Sequence, residues 1–289
     1  MIFLFFFVAL CAIIRKVYLY YRKRHFVCIQ QIKGSNTTHK PLVIVADTTI
    51  YKIIQEYMEN FIDKYDKVYR ISYDGKCTNA ALINRLVDSI PQPADVLFVY
   101  RIVPGVAPPS KSFFLNTEQL SRSNSLTYVK SLPGHLRLLD YSYENVRIAK
   151  EHGLISTYTP ITVYNTHVPK TRGVAFIGSL KNARRRQIYD ELRGQGVDIT
   201  NVTGFGVDRD AVVYQHRILL NIHADRNYTV FEELRCTPCV LNEMLIVTET
   251  CSNMDGYPYR DRVIEAPYDE LVATVCRIVK ELRKRICLV

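Results

Sequence analysis

The chain has 289 residues, 48% of them apolar and 23% charged, which is enough to bury a sizeable core and too apolar for a disordered chain. Its net charge of +10 is uneven: Arg15, Lys16, Arg22, Lys23, Arg24, Lys33 and Lys40 put +7 into residues 1–40, where no acid occurs, and leave +3 for the other 249 residues. So neutral a body argues against the basic face of a nucleic-acid binder, and no nucleic-acid partner is expected.

Ile2 to Ile14 is an unbroken apolar run, shorter than the ~20 residues of a spanning helix. Continuing to Tyr21 reaches that length if Arg15 and Lys16 turn their charged ends to the interface. A cleaved signal peptide carries its basic residues before the apolar run, and here they follow it. Residues 1–21 are therefore expected to be an uncleaved, single-pass membrane anchor, with the body on the cytosolic side by the positive-inside rule. Asn36, Asn201 and Asn227 open glycosylation sequons, which such a location would leave unused. Residues 22–40, basic and polar, read as a linker.

From Pro41 onward strands and helices alternate, the pattern of a parallel sheet with crossover helices. Strands are expected at Pro41–Ala46, Lys67–Ile71 and Asp95–Tyr100, and helices at 50–64, 78–90 and 142–152. Residues 101–135, with four prolines and several serines, read as a long irregular segment suited to lining an acceptor site.

A second alternation begins near Arg172. Strands are expected at Gly173–Gly178, Val197–Val202, Ile218–Ile222, Met244–Thr248 and Arg262–Glu265, and helices at 181–194, 208–217, 229–242 and Tyr268–Arg285. The simplest architecture is α/β, with two Rossmann-like domains, 41–165 and 166–289, behind the anchor.

In open α/β sheets ligands bind beyond the carboxyl ends of strands, and the second half puts polar residues there. Gly178 and Ser179 follow one strand and precede a helix, a setting that suits phosphate, and Arg184, Arg185 and Arg186 come next. Gly204-Phe-Gly206 is a tight turn after another strand. His223 follows a third strand, beside Asn221 and Asp225. Glu232, Glu233 and Arg235 lie early in a helix, where a carboxylate can accept hydrogen bonds from ribose hydroxyls, and Glu249 closes the next strand. Asp208-Arg-Asp210 has the D-x-D form of some metal-dependent sugar transferases but sits where aspartate caps a helix, and no metal is expected. Cys236-Thr-Pro-Cys239 has the C-x2-C spacing of zinc and redox sites without a second Cys/His pair, and reduced core thiols are the expectation. The first strand is followed by Asp47-Thr-Thr rather than G-x-G-x-x-G, against a dinucleotide enzyme.

Taken in order, Phe176-Ile-Gly-Ser179, Arg185-Arg186, Gly204-Phe-Gly206, Leu219-Leu-Asn-Ile-His223, Phe231-Glu-Glu-Leu-Arg235 and Leu241–Glu249 resemble the donor-binding half of GT-B-fold glycosyltransferases of the group 1 type. The resemblance covers roughly residues 170–285. It implies a nucleotide-diphosphate sugar as donor and a glycan, lipid or protein as acceptor, with no cofactor. Gly178, Ser179 and Arg185 would face the diphosphate, with His223 near it, and Gly204 would belong to the donor site. Glu232 would hold the ribose, and Arg235 and Glu249 would line the site. Basic side chains and helix dipoles stabilise the leaving diphosphate in such enzymes, so a metal is not required. A base for the acceptor would come from the first half, with Asp47, at a strand end, as the candidate. Retaining members pair two glutamates eight residues apart; Val240 and Leu241 stand eight after Glu232 and Glu233, which leaves the stereochemistry open.

Overall fold

A computed structural model describes residues 27–34, 39–162, 167–252 and 254–286. The expected anchor, 1–21, lies outside them. Among the described residues no helix is long and apolar enough to cross a membrane.

The chain is a mixed α/β protein with two sheets. The first has seven strands in the order β1-β3-β2-β4-β5-β6-β7: β1 Val27–Lys33, β2 Leu42–Asp47, β3 Val68–Tyr73, β4 Asp95–Val99, β5 Ser112–Asn116, β6 Arg137–Asp140 and β7 Ser156–Tyr158. Strands β3, β2, β4 and β5 are parallel, and β1 runs antiparallel along β3. Leu42 to Ala46 are all at most 2% exposed, the signature of a parallel strand covered on both faces. Helices α1 (Thr48–Ile53) and α2 (Gln55–Ile62) lie between β2 and β3, α3 (Ala80–Asp88) between β3 and β4, α4 (Ser123–Lys130) between β5 and β6, and α5 (Tyr143–Glu151) between β6 and β7.

The second sheet is wholly parallel, in the order β12-β11-β10-β8-β9: β8 Arg172–Phe176, β9 Ile199–Asn201, β10 His216–Asn221, β11 Leu245–Glu249 and β12 Val263–Ala266. Helices α6 (Ala183–Gly194), α7 (Val207–Val213), α8 (Glu233–Leu241) and α9 (Leu271–Ile286) connect and close it. The period of two along each strand sorts the core. Val174, Phe176, Ile218, Leu220 and Val247 pack on one face with Ile188, Leu192, Leu271, Val275 and Ile278 of α6 and α9. Ala175, Leu219 and Ile246 pack on the other with Val213, Cys236, Cys239 and Val240 of α7 and α8. Helices on both faces make this half doubly wound, and numbered along the half its strands lie 2-1-3-4-5.

Three expectations are corrected. Residues 27–33 of the supposed linker form β1, a half-exposed edge strand whose polar side chains hide it, since its partner β3 lies about forty residues away. Residues 101–135 contain β5 and α4: Phe114 and Leu115 are fully buried beside β4, and α4 is built from weak helix formers, Ser, Asn and Thr. The helix expected over 50–64 breaks at Ile54 into α1 and α2.

The chain divides into two compact units, and not by one cut at residue 165. The first runs to Ile53 and adds Phe61–Thr117 and Leu132–Leu139; the second gathers Ile54–Asn60, Glu118–Ser131 and Asp140 onward. Distant hydrogen bonds account for the second. Tyr57 donates to the Thr159 carbonyl at 2.8 Å, Tyr214 donates to Glu56, and Gln119 donates to the Val230 carbonyl at 3.2 Å.

Candidate functional site

The order 2-1-3-4-5 reverses between β8 and β10, so the carboxyl ends of those strands form the switch point of the second sheet. Gly178 lies two residues beyond β8. A Cβ there would come within 2.6 Å of the Phe176 ring, so only glycine lets the chain fold back over its own strand. Ser179 is exposed, and its hydroxyl accepts from the Lys181 amide at 3.3 Å. The helix opens later than the sequence suggests, at Ala183, with Asn182 as its cap. The Asn182 side chain accepts from the Arg185 amide at 3.1 Å and donates to the Ala224 carbonyl at 2.8 Å, tying the start of α6 to the loop after β10.

Beyond β10 and β11 the charged residues meet. Arg184 pairs with both carboxylate oxygens of Glu249, donates to the His223 carbonyl at 3.2 Å and lies 3.8 Å over the Tyr268 ring. Glu249 also accepts from the His223 amide at 3.2 Å. Arg185 is buried and donates through Nε to the Ile222 carbonyl at 2.9 Å; its Nη2 stands 4.0 Å from Glu232. Burial, then the nearby Arg235, lowers the Arg185 pKa, which starts so high that the group stays charged. Arg235 pairs with Glu232 and donates to Asn221 Oδ1 at 3.0 Å, and Asn221 in turn donates to Thr248 Oγ1 at 3.0 Å.

Three guanidiniums thus face two carboxylates, an excess of one positive charge at the strand ends. His223 is 2% exposed, and its Nδ1 has no hydrogen-bond partner among the described residues. A buried imidazole nitrogen without a partner is costly unless a ligand or water supplies one. Its Nε2 lies 3.7 Å from Cys251 Sγ, and Cys251 also donates to the Glu249 carbonyl at 3.2 Å. Burial pushes the Cys251 thiol up to about 12, so it is protonated at neutral pH.

The structure therefore brings together Arg185, His223, Glu232, Arg235 and Glu249 from the sequence-predicted set. Gly178 and Ser179 follow β8 in the same unit. Gly204, with φ +97°, sits in the turn before α7, and Gly206, with φ +74°, caps that helix. Asp208 is exposed, whereas Asp210 is buried against Arg209, so the two carboxylates of the D-x-D stretch lie in different environments. Cys236 and Cys239 are buried on α8, and burial drives both thiols up. Asp47 ends β2 in the first unit. Its Oδ1 accepts from the amides of Thr49 and Ile50 at 2.8 and 3.0 Å, the work of a helix cap.

Sequence reasoning missed the pairing of Arg184 with Glu249, the Asn221–Thr248 link, Cys251 and Tyr268. Arg184 was visible only as one of three consecutive arginines. Cys251, two residues past Glu249, carries no local signal.

No family model matches the chain. It is similar to an uncharacterized protein of Acanthamoeba polyphaga mimivirus, 28% identical over 255 residues, covering 83% of this chain and 80% of that protein. A second uncharacterized protein of the same virus is 28% identical over 264 residues, again covering 83% of this chain but 29% of its own length. A third is 28% identical over 172 residues, covering 56% of this chain and 60% of the relative.

Proposed function

We propose that the chain is a GT-B-like glycosyltransferase that moves a sugar from a nucleotide-diphosphate donor to a glycan, lipid or protein acceptor without a metal. One observation carries this reading: three guanidiniums against two carboxylates at the switch point of a doubly wound sheet, beside a buried imidazole whose Nδ1 lacks a partner among the described residues. Such a cluster suits an anion, and a diphosphate leaving group needs the same positive charge in the transition state. In this reading Arg185 and His223 sit toward the diphosphate with Gly178, Ser179 and Gly204, and Glu232 accepts from the ribose. Arg235 and Glu249 hold the positions of their partners. Asp47 is the proposed base for the acceptor hydroxyl; with Oδ1 in the helix cap, proton transfer would fall to Oδ2. Residues 1–21 would anchor the body at the cytosolic side of a membrane.

The test is a thermal-shift series on the full chain in detergent with UDP, GDP, CDP, ADP and NAD, each with and without Mn²⁺. One nucleoside diphosphate should raise the melting temperature without metal, by about 2.7 kcal/mol of stability at 100 times its Kd. Glu232→Ala should weaken that response at least tenfold. Stabilisation by NAD alone, or by nothing in a folded sample, overturns the proposal.

A second reading, a non-catalytic binding protein at a membrane, draws on a specific observation. Glu232 and Glu249 are each already neutralised by an arginine of the same chain. Nucleotide binding without transfer of labelled sugar to any of a panel of acceptors would favour it.

A further inference from the structure

A cavity of about 310 Å³ opens within the second unit, and none of the clustered arginines lines it. Four tyrosines line it. Tyr143 opens α5 and Tyr158 ends β7; their rings stack with centroids 3.8 Å apart and planes 23° apart. Tyr257 and Tyr259, from the segment joining β11 to β12, meet edge to face at 5.8 Å. Phe231 packs against Tyr257 at 4.8 Å, and Thr237 Oγ1 lies 3.0 Å from the Tyr257 hydroxyl, so this wall is fixed. Into this apolar lining α8 sends one acid, Glu233, 5% exposed.

We propose that this cavity is a binding site for a single pyranose ring, whose C–H faces pack on the tyrosines and whose hydroxyls hydrogen-bond to Glu233 and the tyrosine hydroxyls. A purely apolar ligand would offer the buried carboxyl nothing from the cavity side. In the empty cavity burial pushes Glu233 up to about 7, with nearby Asp140 adding to the effect; a bound organic cation would draw the carboxyl back to its ionised form, so a cation is the control in the test below. The Ser142 hydroxyl lowers it somewhat, from outside regular hydrogen-bond geometry. Ionised, the carboxyl accepts from a polyol's hydroxyls, and protonated it also donates to them. A pyranose also offers both surfaces the cavity presents, an apolar face and a hydroxylated edge. The volume lies at the small end of ligand sites, which suits one sugar rather than a chain.

Glu232 and Glu233 are consecutive at the start of α8, the first turned to the guanidinium cluster and the second to the aromatic cavity. The proposal rests on the cavity alone and stands whether or not the chain transfers sugar.

Saturation-transfer NMR on the full chain tests it, in a polyoxyethylene detergent that has no sugar head group. The probes are methyl glycosides of glucose, galactose, N-acetylglucosamine, mannose and rhamnose, with tetramethylammonium as the cation control. At least one glycoside should receive transfer from the wild type. Tyr143→Ala should weaken that signal tenfold or more, and at 45% exposed Tyr143 can be truncated without emptying the core. Glu233→Gln should weaken it several-fold, while Arg277→Ala, an exposed position on α9, should leave it intact. Transfer to tetramethylammonium alone, transfer to no glycoside in a folded sample, or a signal unchanged by Tyr143→Ala would each overturn the proposal. The nucleotide response of the same preparations reports separately on the donor site.

Discussion

The two sheets repeat one topology and spend it differently. The run β3-β2-β4-β5-β6 in the first and β9-β8-β10-β11-β12 in the second are both 2-1-3-4-5, so each has a switch point where a ligand site is expected. At the first, the strand ends are closed by mostly neutral hydrogen bonds. Asp47 caps α1, Thr48 donates to the Tyr73 carbonyl at 3.0 Å, and Tyr73 donates to the Arg101 carbonyl at 2.7 Å. At the second, charges from three segments converge, Arg184, Arg185, Glu232, Arg235 and Glu249, with Arg184 meeting Glu249 across 65 residues of sequence. The difference shows that the fold supplies a location and only the side chains supply chemistry.

The largest expected effect tests that contrast through stability. Glu249→Ala leaves Arg184 without its carboxylate and the buried His223 amide without its acceptor, and should cost about 3–5 kcal/mol in urea unfolding. Asp47→Ala at the other switch point removes a helix cap and should cost about 1 kcal/mol. Equal losses would mean that the charged cluster is no more interdependent than a cap, and the contrast would fail.

The next effect is set by pH. Glu56 and Glu233 both belong to the second unit, and burial pushes each from 4.5 up to about 7. At Glu56 the Tyr214 hydrogen bond opposes the shift and Asp210 adds to it. A raised carboxyl pKa means that the folded state holds its proton longer than the unfolded state. These contributions are therefore full below about pH 4.5, are lost as pH rises to about 7, and are flat beyond. For Glu233 the loss amounts to at most about 3 kcal/mol. Glu233→Gln should flatten that slope in a pH series of melting curves; an unchanged slope would show that the carboxyl is solvated after all.

Legibility in the sequence followed the same divide. The second half was readable because its strands are short apolar runs ended by glycine or acid, such as Gly173–Gly178 and Met244–Glu249, and its helices are local. The first half was readable where strands are fully buried, as at Leu42–Asp47, and failed where burial is partial. β1 is half exposed, and β5 is a five-residue burst after a proline-rich stretch. Site residues that end strands could be named from position. Their partners could not: Arg184 and Glu249 are 65 residues apart, and the tyrosine cavity draws on residues from Tyr143 to Tyr259. No local pattern encodes such meetings.

The smallest effect sits where α8 returns to β11. Glu243 has φ +62°, and the Met244 and Glu243 amides donate to the Cys239 and Val240 carbonyls at 3.0 and 2.9 Å. This is a helix end that normally takes glycine, because a Cβ in the left-handed region costs about 1 kcal/mol. Glu243→Gly should remove that strain. Part of the gain is returned through the greater freedom of glycine in the unfolded chain, and part through the lost attraction to Lys170, whose ammonium pKa Glu243 helps to raise against burial. A net stabilisation of about 0.5 kcal/mol is expected by thermal unfolding. Glu243→Gln separates the two causes, since it discards the charge and keeps the strained backbone. If the glutamine variant gains as much as the glycine variant, the charge and not the backbone governs this turn, and the strain argument is wrong.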